Sequence, residues 1–347
     1  MQDGRDRKIR LVMDAARMTG IARLLSPLLS GAGAILMLHR VIDPPPGSLG
    51  INDGLTVSPA FLDRALAEVK RLGYALVSMD EAVESLGRGG SRRFAAITLD
   101  DGYLDNLENA LPVFEAHRAP FTIFVAPSLA DGALALWWEE IDRIVAGRSE
   151  IRYAHEGRDV VLAAGTPGEK QAAAFALFAH VSRTVPEDGQ QAFLRMLDAD
   201  VAPPAGRYRL MDWQDLVEIA AHPLATIGAH TMRHVALARL PSARAADEMV
   251  ESRDMIEARL GVQARHFAYP YGHAEAAGTR EFAMARELGF LSGVTTRHGV
   301  LRHGHAAHLH ALPRISVNGR FQDVAYLRTM LSGFTTLANG RRLLVTA

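Results

Sequence analysis

Ala95-Ala96-Ile97-Thr98-Leu99-Asp100-Asp101-Gly102 reads as a buried strand that stops on two adjacent acids and a glycine. In folds built from parallel strands and helices, ligands bind beyond the carboxyl ends of the strands, so two carboxylates at such an end are well placed for chemistry. Gly102 allows a sharp turn after them. Asp is also favoured in turns and helix caps, so Asp-Asp-Gly can equally be a turn that caps a helix beginning near Leu104. The sharper use divides the work: one acid holds a metal ion, and the other accepts a proton from water on that ion.

Outward from this stretch, similar apolar runs recur at Ile35–Val41, Ala75–Ser78, Phe121–Ala126, Thr226–Ala229, His266–Tyr269, Leu291–Thr295 and Leu312–Val317. Helical stretches lie between most of them, which predicts an α/β fold with parallel strands, and their number points to a barrel. Ser58-Pro59 caps and opens one crossover helix, with Phe61, Leu62, Ala65, Leu66 and Val69 at helical spacing. The alternation breaks from about Trp137 to Leu216, where Gln171–Ala179 and Gln190–Leu197 look helical and few strand runs occur. This predicts a helical insertion over about 131–210, bounded by the turn formers Asp131-Gly132 and Pro203-Pro204-Ala205-Gly206. The expected organisation is a helical extension over 1–33, a barrel over 34–335 carrying that insertion, and a tail over 336–347.

The 347 residues suit one large domain with an insertion. With 38 Lys+Arg against 39 Asp+Glu there is no overall basic field for a phosphate backbone, so nucleic acid is not an expected partner. Apolar residues at 48% and charged residues at 22% fit a soluble globular chain without transmembrane spans. The chain has no cysteine, which removes disulfides, thiolate nucleophiles and cysteine metal sites. Arg5, Arg7, Lys8 and Arg10 precede the apolar stretch Leu24–Leu38, but that stretch is interrupted by Pro27, Ser30, Gly31 and Gly33 and runs into a strand pattern. The expectation is therefore no cleaved signal and a cytoplasmic location, with peripheral membrane association and export left open.

Any metal must use histidine and carboxylate. Ile227-Gly228-Ala229-His230-Thr231-Met232-Arg233-His234 places two imidazoles four residues apart after an apolar run, and on a helical turn both would face one way. That spacing suits two nitrogen ligands on one zinc-like ion, with Asp101 the natural carboxylate donor and water in the open position. A chance pair is the competing reading in a chain with 14 histidines. His39 ends the first strand in the same manner and is either a site residue or a structural histidine.

Thr98-Leu99-Asp100-Asp101-Gly102, His230-Thr231-Met232-Arg233-His234 and Phe267-Ala268-Tyr269-Pro270-Tyr271-Gly272 together, in this order, resemble the polysaccharide deacetylases. This is carbohydrate esterase family four, with its chitooligosaccharide deacetylase homology domain, and Leu38-His39-Arg40-Val41 looks like the family's first-strand motif. The resemblance spans about Ile35 to Val317 apart from the insertion. It implies a distorted (β/α)7-type barrel and metal-dependent hydrolysis of N-acyl, mainly N-acetyl, groups on amino sugars of a poly- or oligosaccharide. By the same resemblance Asp100 is the base, and Asp101, His230 and His234 hold one divalent ion, Zn2+ ahead of other ions. Tyr269, Pro270 and Tyr271 form a groove wall, with the Tyr271 backbone N–H on the developing oxyanion.

The sequence departs from the pattern at two points. Ala268 stands where many members carry an arginine that orients the base, and Arg314 is the candidate replacement because a guanidinium presents a fixed fork to a carboxylate. No clear Leu-x-His closes the chain, which leaves His39 and His310 as candidate acids. Trp137 and Trp138 either line a sugar-binding edge or anchor the insertion. Arg297–His310, rich in Gly and His, is expected to be an exposed loop with possible metal affinity. Two other functions share these residues: hydrolysis of a small non-sugar amide, and glycan binding by a catalytically impaired homologue.

Overall fold

A computed structural model describes residues 2–43, 48–89, 92–198 and 208–338. Eight strands form one parallel sheet: β1 (Gly33–Leu38), β2 (Ala75–Val77), β3 (Phe94–Asp100), β4 (Phe121–Val125), β5 (Ala225–Ala229), β6 (His266–Ala268), β7 (Ser292–His298) and β8 (Leu312–Ser316). β1 pairs with β8 on one side and with β3 on the other, so β1 and β3 to β8 close into a seven-stranded barrel. β2 stands outside the ring. It pairs with Phe94–Ala96 of β3, on the edge that β4 takes over from Ile97 onward.

The closed barrel explains why these strands read as unbroken apolar runs. Every residue of β1, β3 and β4 is buried, because one face meets the barrel interior and the other the helices. The two faces alternate along each strand. Leu36, Ile97, Ile123 and Phe267 pack outward in the large core under the helices, whereas Ile35, Ala96, Phe124 and Ala268 point inward. Phe124 fills so much of the interior that a Cβ on Gly228 would lie 2.5 Å from its ring, which requires glycine at its register partner on the neighbouring strand β5. The helix Pro59–Arg71 begins as read, with the Ser58 hydroxyl accepting from the Phe61 N–H at 3.1 Å.

The insertion lies between β4 and β5, but it is not all helical. Glu150–His155 and Arg158–Ala163 form an antiparallel hairpin inside it. Glu156 and Gly157 both have positive φ at its turn (50° and 73°), as a tight two-residue connection of the primed type requires. Helices Trp137–Ala146, Pro167–Arg183 and Gln190–Asp198 share a second core with Ile151 of the hairpin and with Tyr103 and Ala126 of the barrel. The segment Pro203–Gly206 lies outside the described residues, as does most of the 336–347 tail. Helices Gln2–Met18 and Ile21–Leu29 form the N-terminal extension and pack beside helices Val324–Leu331 and Phe334–Ala338.

Arg297–His310 is not the exposed loop expected from its composition. His298 belongs to β7 and bonds the Thr335 hydroxyl at 2.7 Å, and His305 is buried with Nδ1 accepting from the Arg302 N–H at 2.9 Å.

Candidate active site at the barrel mouth

β3 delivers Asp100 to the barrel mouth, and the next two residues, Asp101 and Gly102, turn the chain with φ of 73° and 71°. β5 ends at Ala229 and delivers His230 alongside. The expected helical turn over His230–His234 is absent. Thr231 and His234 adopt left-handed φ of 59° and 55°, and this doubled-back loop, not a helix, brings the two imidazoles to one point. Glu248 braces the loop: its carbonyl accepts from the Met232 N–H at 2.9 Å and its carboxylate from the Arg233 N–H at 2.9 Å. Of the six non-glycine residues with positive φ among the described residues, Asp101, Thr231, His234 and Tyr271 are all at the mouth. Strain of this kind, of order 1–3 kcal/mol per residue, persists where surrounding structure imposes it.

His230 Nδ1 lies 2.7 Å from the Ala268 carbonyl, an acceptor, so Nδ1 carries the proton and Nε2 presents a lone pair. That Nε2 is 3.5 Å from Asp101 Oδ1, and His234 Nε2 is 3.1 Å from the same oxygen. Both Asp101 oxygens are buried and make no hydrogen bond. A buried carboxylate without donors, facing an imidazole lone pair, is costly unless a cation lies between them. Ligand atoms on a tetrahedral ion with bonds of ~2.0–2.2 Å sit ~3.3–3.6 Å apart, which is close to the spacing seen here. Among the described residues, Asp101, His230 and His234 are the one group of three such side chains close enough to share an ion.

Asp100 is held differently. Arg314, on β8 and fully buried, donates from Nη1 to Oδ1 and from Nη2 to Oδ2, each at 2.7 Å. The same guanidinium bonds the Thr98 hydroxyl at 3.1 Å and the Thr295 carbonyl at 2.9 Å, which fixes its plane. Burial pushes the Asp100 pKa up, but Arg314 first, with His230 and His39, outweighs it and holds the pKa below the usual carboxylate value. Ala268, pointing into the same interior, leaves room for this arginine from another strand. His39 Nε2 lies 3.9 Å from Asp100 Oδ2, and burial lowers its pKa against the opposing pull of Asp101 and Asp100.

Two expected site residues lie elsewhere. His310 precedes β8 and so sits at the end of the barrel opposite the mouth, where Nε2 donates to the Phe290 carbonyl at 2.7 Å; it cannot serve as the acid. Tyr269 faces outward into the helical layer against Phe282, with its hydroxyl donating to the His310 carbonyl at 2.8 Å, and is not a groove wall. Pro270 is buried, and its carbonyl accepts from the Gly272 N–H at 2.7 Å. Tyr271, turned by a φ of 60°, does reach the mouth, where its ring lies 5.0 Å from that of His234.

The insertion closes the other side. Trp138 packs 4.9 Å from the His234 ring and donates to the Tyr103 hydroxyl at 3.1 Å, and Trp137 donates to the Tyr271 hydroxyl at 2.7 Å. Tyr103 in turn donates to Glu139 at 3.1 Å, and Arg40 bonds both Glu139 (3.5 Å) and Asp105 (3.2 Å). Both tryptophans are almost wholly buried (3% and 6% exposed), so they anchor the insertion and support His234 and offer little area to a sugar. The sequence reading missed Tyr103, Asp105 and Arg40, whose position just after Asp-Asp-Gly and His39, at two strand ends, was the available signal, and it missed the partner Glu139 on the insertion helix.

A closed parallel barrel with paired carboxylates and two histidines at its mouth is an enzyme of the barrel class. The chain belongs to the polysaccharide deacetylase family: the family model, described as polysaccharide deacetylase, matches residues 87–153 and 171–290, more than half of the chain. It is therefore a hydrolase of carbon–nitrogen bonds. The unmatched residues 154–170 include the second hairpin strand. Similar folds include the Streptococcus pyogenes deacetylase PplD (TM-score 0.57, 19% identity, 86% of this chain and 97% of that chain covered). IcaB from Ammonifex degensii (0.54, 18%, 86% and 97%) and a polysaccharide deacetylase from Bacillus cereus (0.54, 15%, 86% and 68%) are further examples. No curated protein matches the chain by sequence. Among the described residues, no helix is long and apolar enough to cross a membrane.

Proposed function

We propose that the protein removes N-acetyl groups from the amino sugars of a poly- or oligosaccharide, with a divalent ion held by Asp101, His230 and His234 and with Asp100 as the base. The carrying observation is the contrast between two adjacent buried carboxylates, one without a hydrogen-bond donor and the other held by an arginine fork. When bound, a divalent ion supplies Lewis acidity, making water easier to deprotonate and drawing charge from the acyl oxygen.

The chain's own groups do the rest. Asp100 takes the proton of the attacking water. Arg314 occupies one lone pair on each carboxylate oxygen and leaves the others free, so it aims the base without blocking it. The Tyr271 backbone N–H, at the mouth on a left-handed residue, is the donor assigned to the oxyanion. His39 is the remaining candidate acid, within 3.9 Å of the oxygen that receives the proton, and it passes that proton to the departing amine. The Trp138 and Tyr271 rings keep bulk water from the outer face of His234.

Acetate release from N-acetylglucosamine oligomers, measured before and after chelation and metal return, tests this reading. Activity that is lost with chelation and restored by a divalent ion supports it; full activity in metal-free protein contradicts it.

A further inference from the structure

Far from the mouth, the exposed apolar side chains are gathered on one side. Of the ten large apolar side chains exposed among the described residues, Leu11, Val12, Met18, Ile21, Leu24 and Leu28 all belong to the two N-terminal helices. A seventh, Leu337, lies on the helix that packs against the second of them. Met18, Leu24 and Leu28 are 83%, 77% and 76% exposed. Scattered exposed leucines are ordinary, but six large apolar side chains exposed on two helices that contact each other mark a surface that something covers. The same helices also bury Met13, Ala16, Ala22 and Leu29 against the protein, so they are anchored and apolar on two faces.

The charge around this face is one-sided. Residues 1–30 hold six basic side chains against three acidic ones, although the chain as a whole carries a net charge of -1. Arg7, Arg10, Arg17 and Arg23 are exposed; Arg10 donates to the Arg320 carbonyl at 2.6 Å and Arg17 pairs with Asp14 at 3.3 Å, which leaves Arg7 and Arg23 to carry most of the outward charge. A second copy meeting this face about a twofold axis would bring the same positive charge against itself. An anionic bilayer surface instead offers apolar depth for the leucines and negative headgroups for the arginines.

We propose that the outer face of helices Gln2–Met18 and Ile21–Leu29 is a docking surface for an anionic phospholipid bilayer. The second helix leads into the N-terminal end of β1, the barrel end opposite the mouth, so docking there leaves the mouth open.

The test is flotation of the full chain with vesicles of phosphatidylcholine alone and of phosphatidylcholine mixed with phosphatidylglycerol. The expected result is binding to the anionic vesicles that weakens with added salt. The double variant Leu24→Gln/Leu28→Gln should partition at least about tenfold less, and Arg23→Gln about fivefold less, with thermal melting unchanged for both. The proposal is overturned if wild-type protein floats with neither vesicle, or if the double variant binds equally well. It is also overturned if sedimentation shows a dimer that the double variant abolishes, which would assign the face to a second copy.

Discussion

Asp100 and Asp101 are neighbours in sequence and are equally buried, yet the two sides of the mouth treat them in opposite ways. On the β8 side, Arg314 satisfies both oxygens of Asp100. On the β5 side, Asp101 meets no hydrogen-bond donor, only the ring nitrogens of His230 and His234. Identical residue types therefore acquire different surroundings from their partners, and in the proposed reaction the first serves as an ionised base with a fixed aim and the second as an open ligand. The left-handed φ of Asp101 separates the two roles, because it turns the second carboxylate away from the strand direction that Asp100 follows.

The comparison breaks most severely on the ligand side. Asp101→Ala or His234→Ala should lose metal content and activity together, with acetate release at least ~10³-fold lower; full occupancy in either variant would separate these residues from the metal. On the base side, Asp100→Asn should lower kcat by ~10²–10⁴-fold while metal analysis stays at the wild-type value. A smaller effect is expected one step removed, at the arginine. Arg314→Met leaves Asp100 buried without its cation, so kcat should fall ~10–10²-fold with KM little changed. Because burial raises the Asp100 pKa and Arg314 lowers it, removing the arginine should move the acid limb of the pH–rate profile to higher pH. Arg314→Lys should restore the position of that limb in part, since it returns the charge but not the fork.

The smallest effect on activity concerns the joint between insertion and barrel. Burial raises the Glu139 pKa to about 7 against the pull of Arg40. The folded state thus holds a proton that the unfolded chain has already released above the ordinary glutamate value. Stability from this group is full below that value and is lost as pH rises toward 7, by at most ~3 kcal/mol. Glu139→Gln, which mimics the neutral form, should show a flatter fall in melting temperature between pH 5 and 7.5 than wild-type protein.

Much of the barrel was legible because strands covered on both faces need unbroken apolar runs, and Ala95–Leu99 and Phe121–Val125 supply them. The hairpin was not, because Ile151 is its one fully buried side chain and its alternation is half exposed. The spacing of His230 and His234 marked the pair but not its conformation, which rests on two left-handed residues that no side-chain pattern announces. Tyr269 and Tyr271 looked alike in one motif. The first follows the alternation of β6 outward, and the second is redirected by its positive φ. His310 was misplaced although strand direction alone decides it: a residue just before a parallel strand lies at the end away from the mouth. Arg314 was marked by being a charge inside an apolar strand, and its contact with Asp100 needed the closure of β8 onto β1 to become visible.

Anomalous X-ray diffraction from crystals of the zinc-loaded protein tests the central claim most directly. The expected result is one peak per chain within ~2.0–2.2 Å of an Asp101 oxygen and of Nε2 on both His230 and His234, with Asp100 still paired to Arg314. A loaded protein whose ion lies away from this trio, or is bound through Asp100 with the arginine displaced, would contradict it.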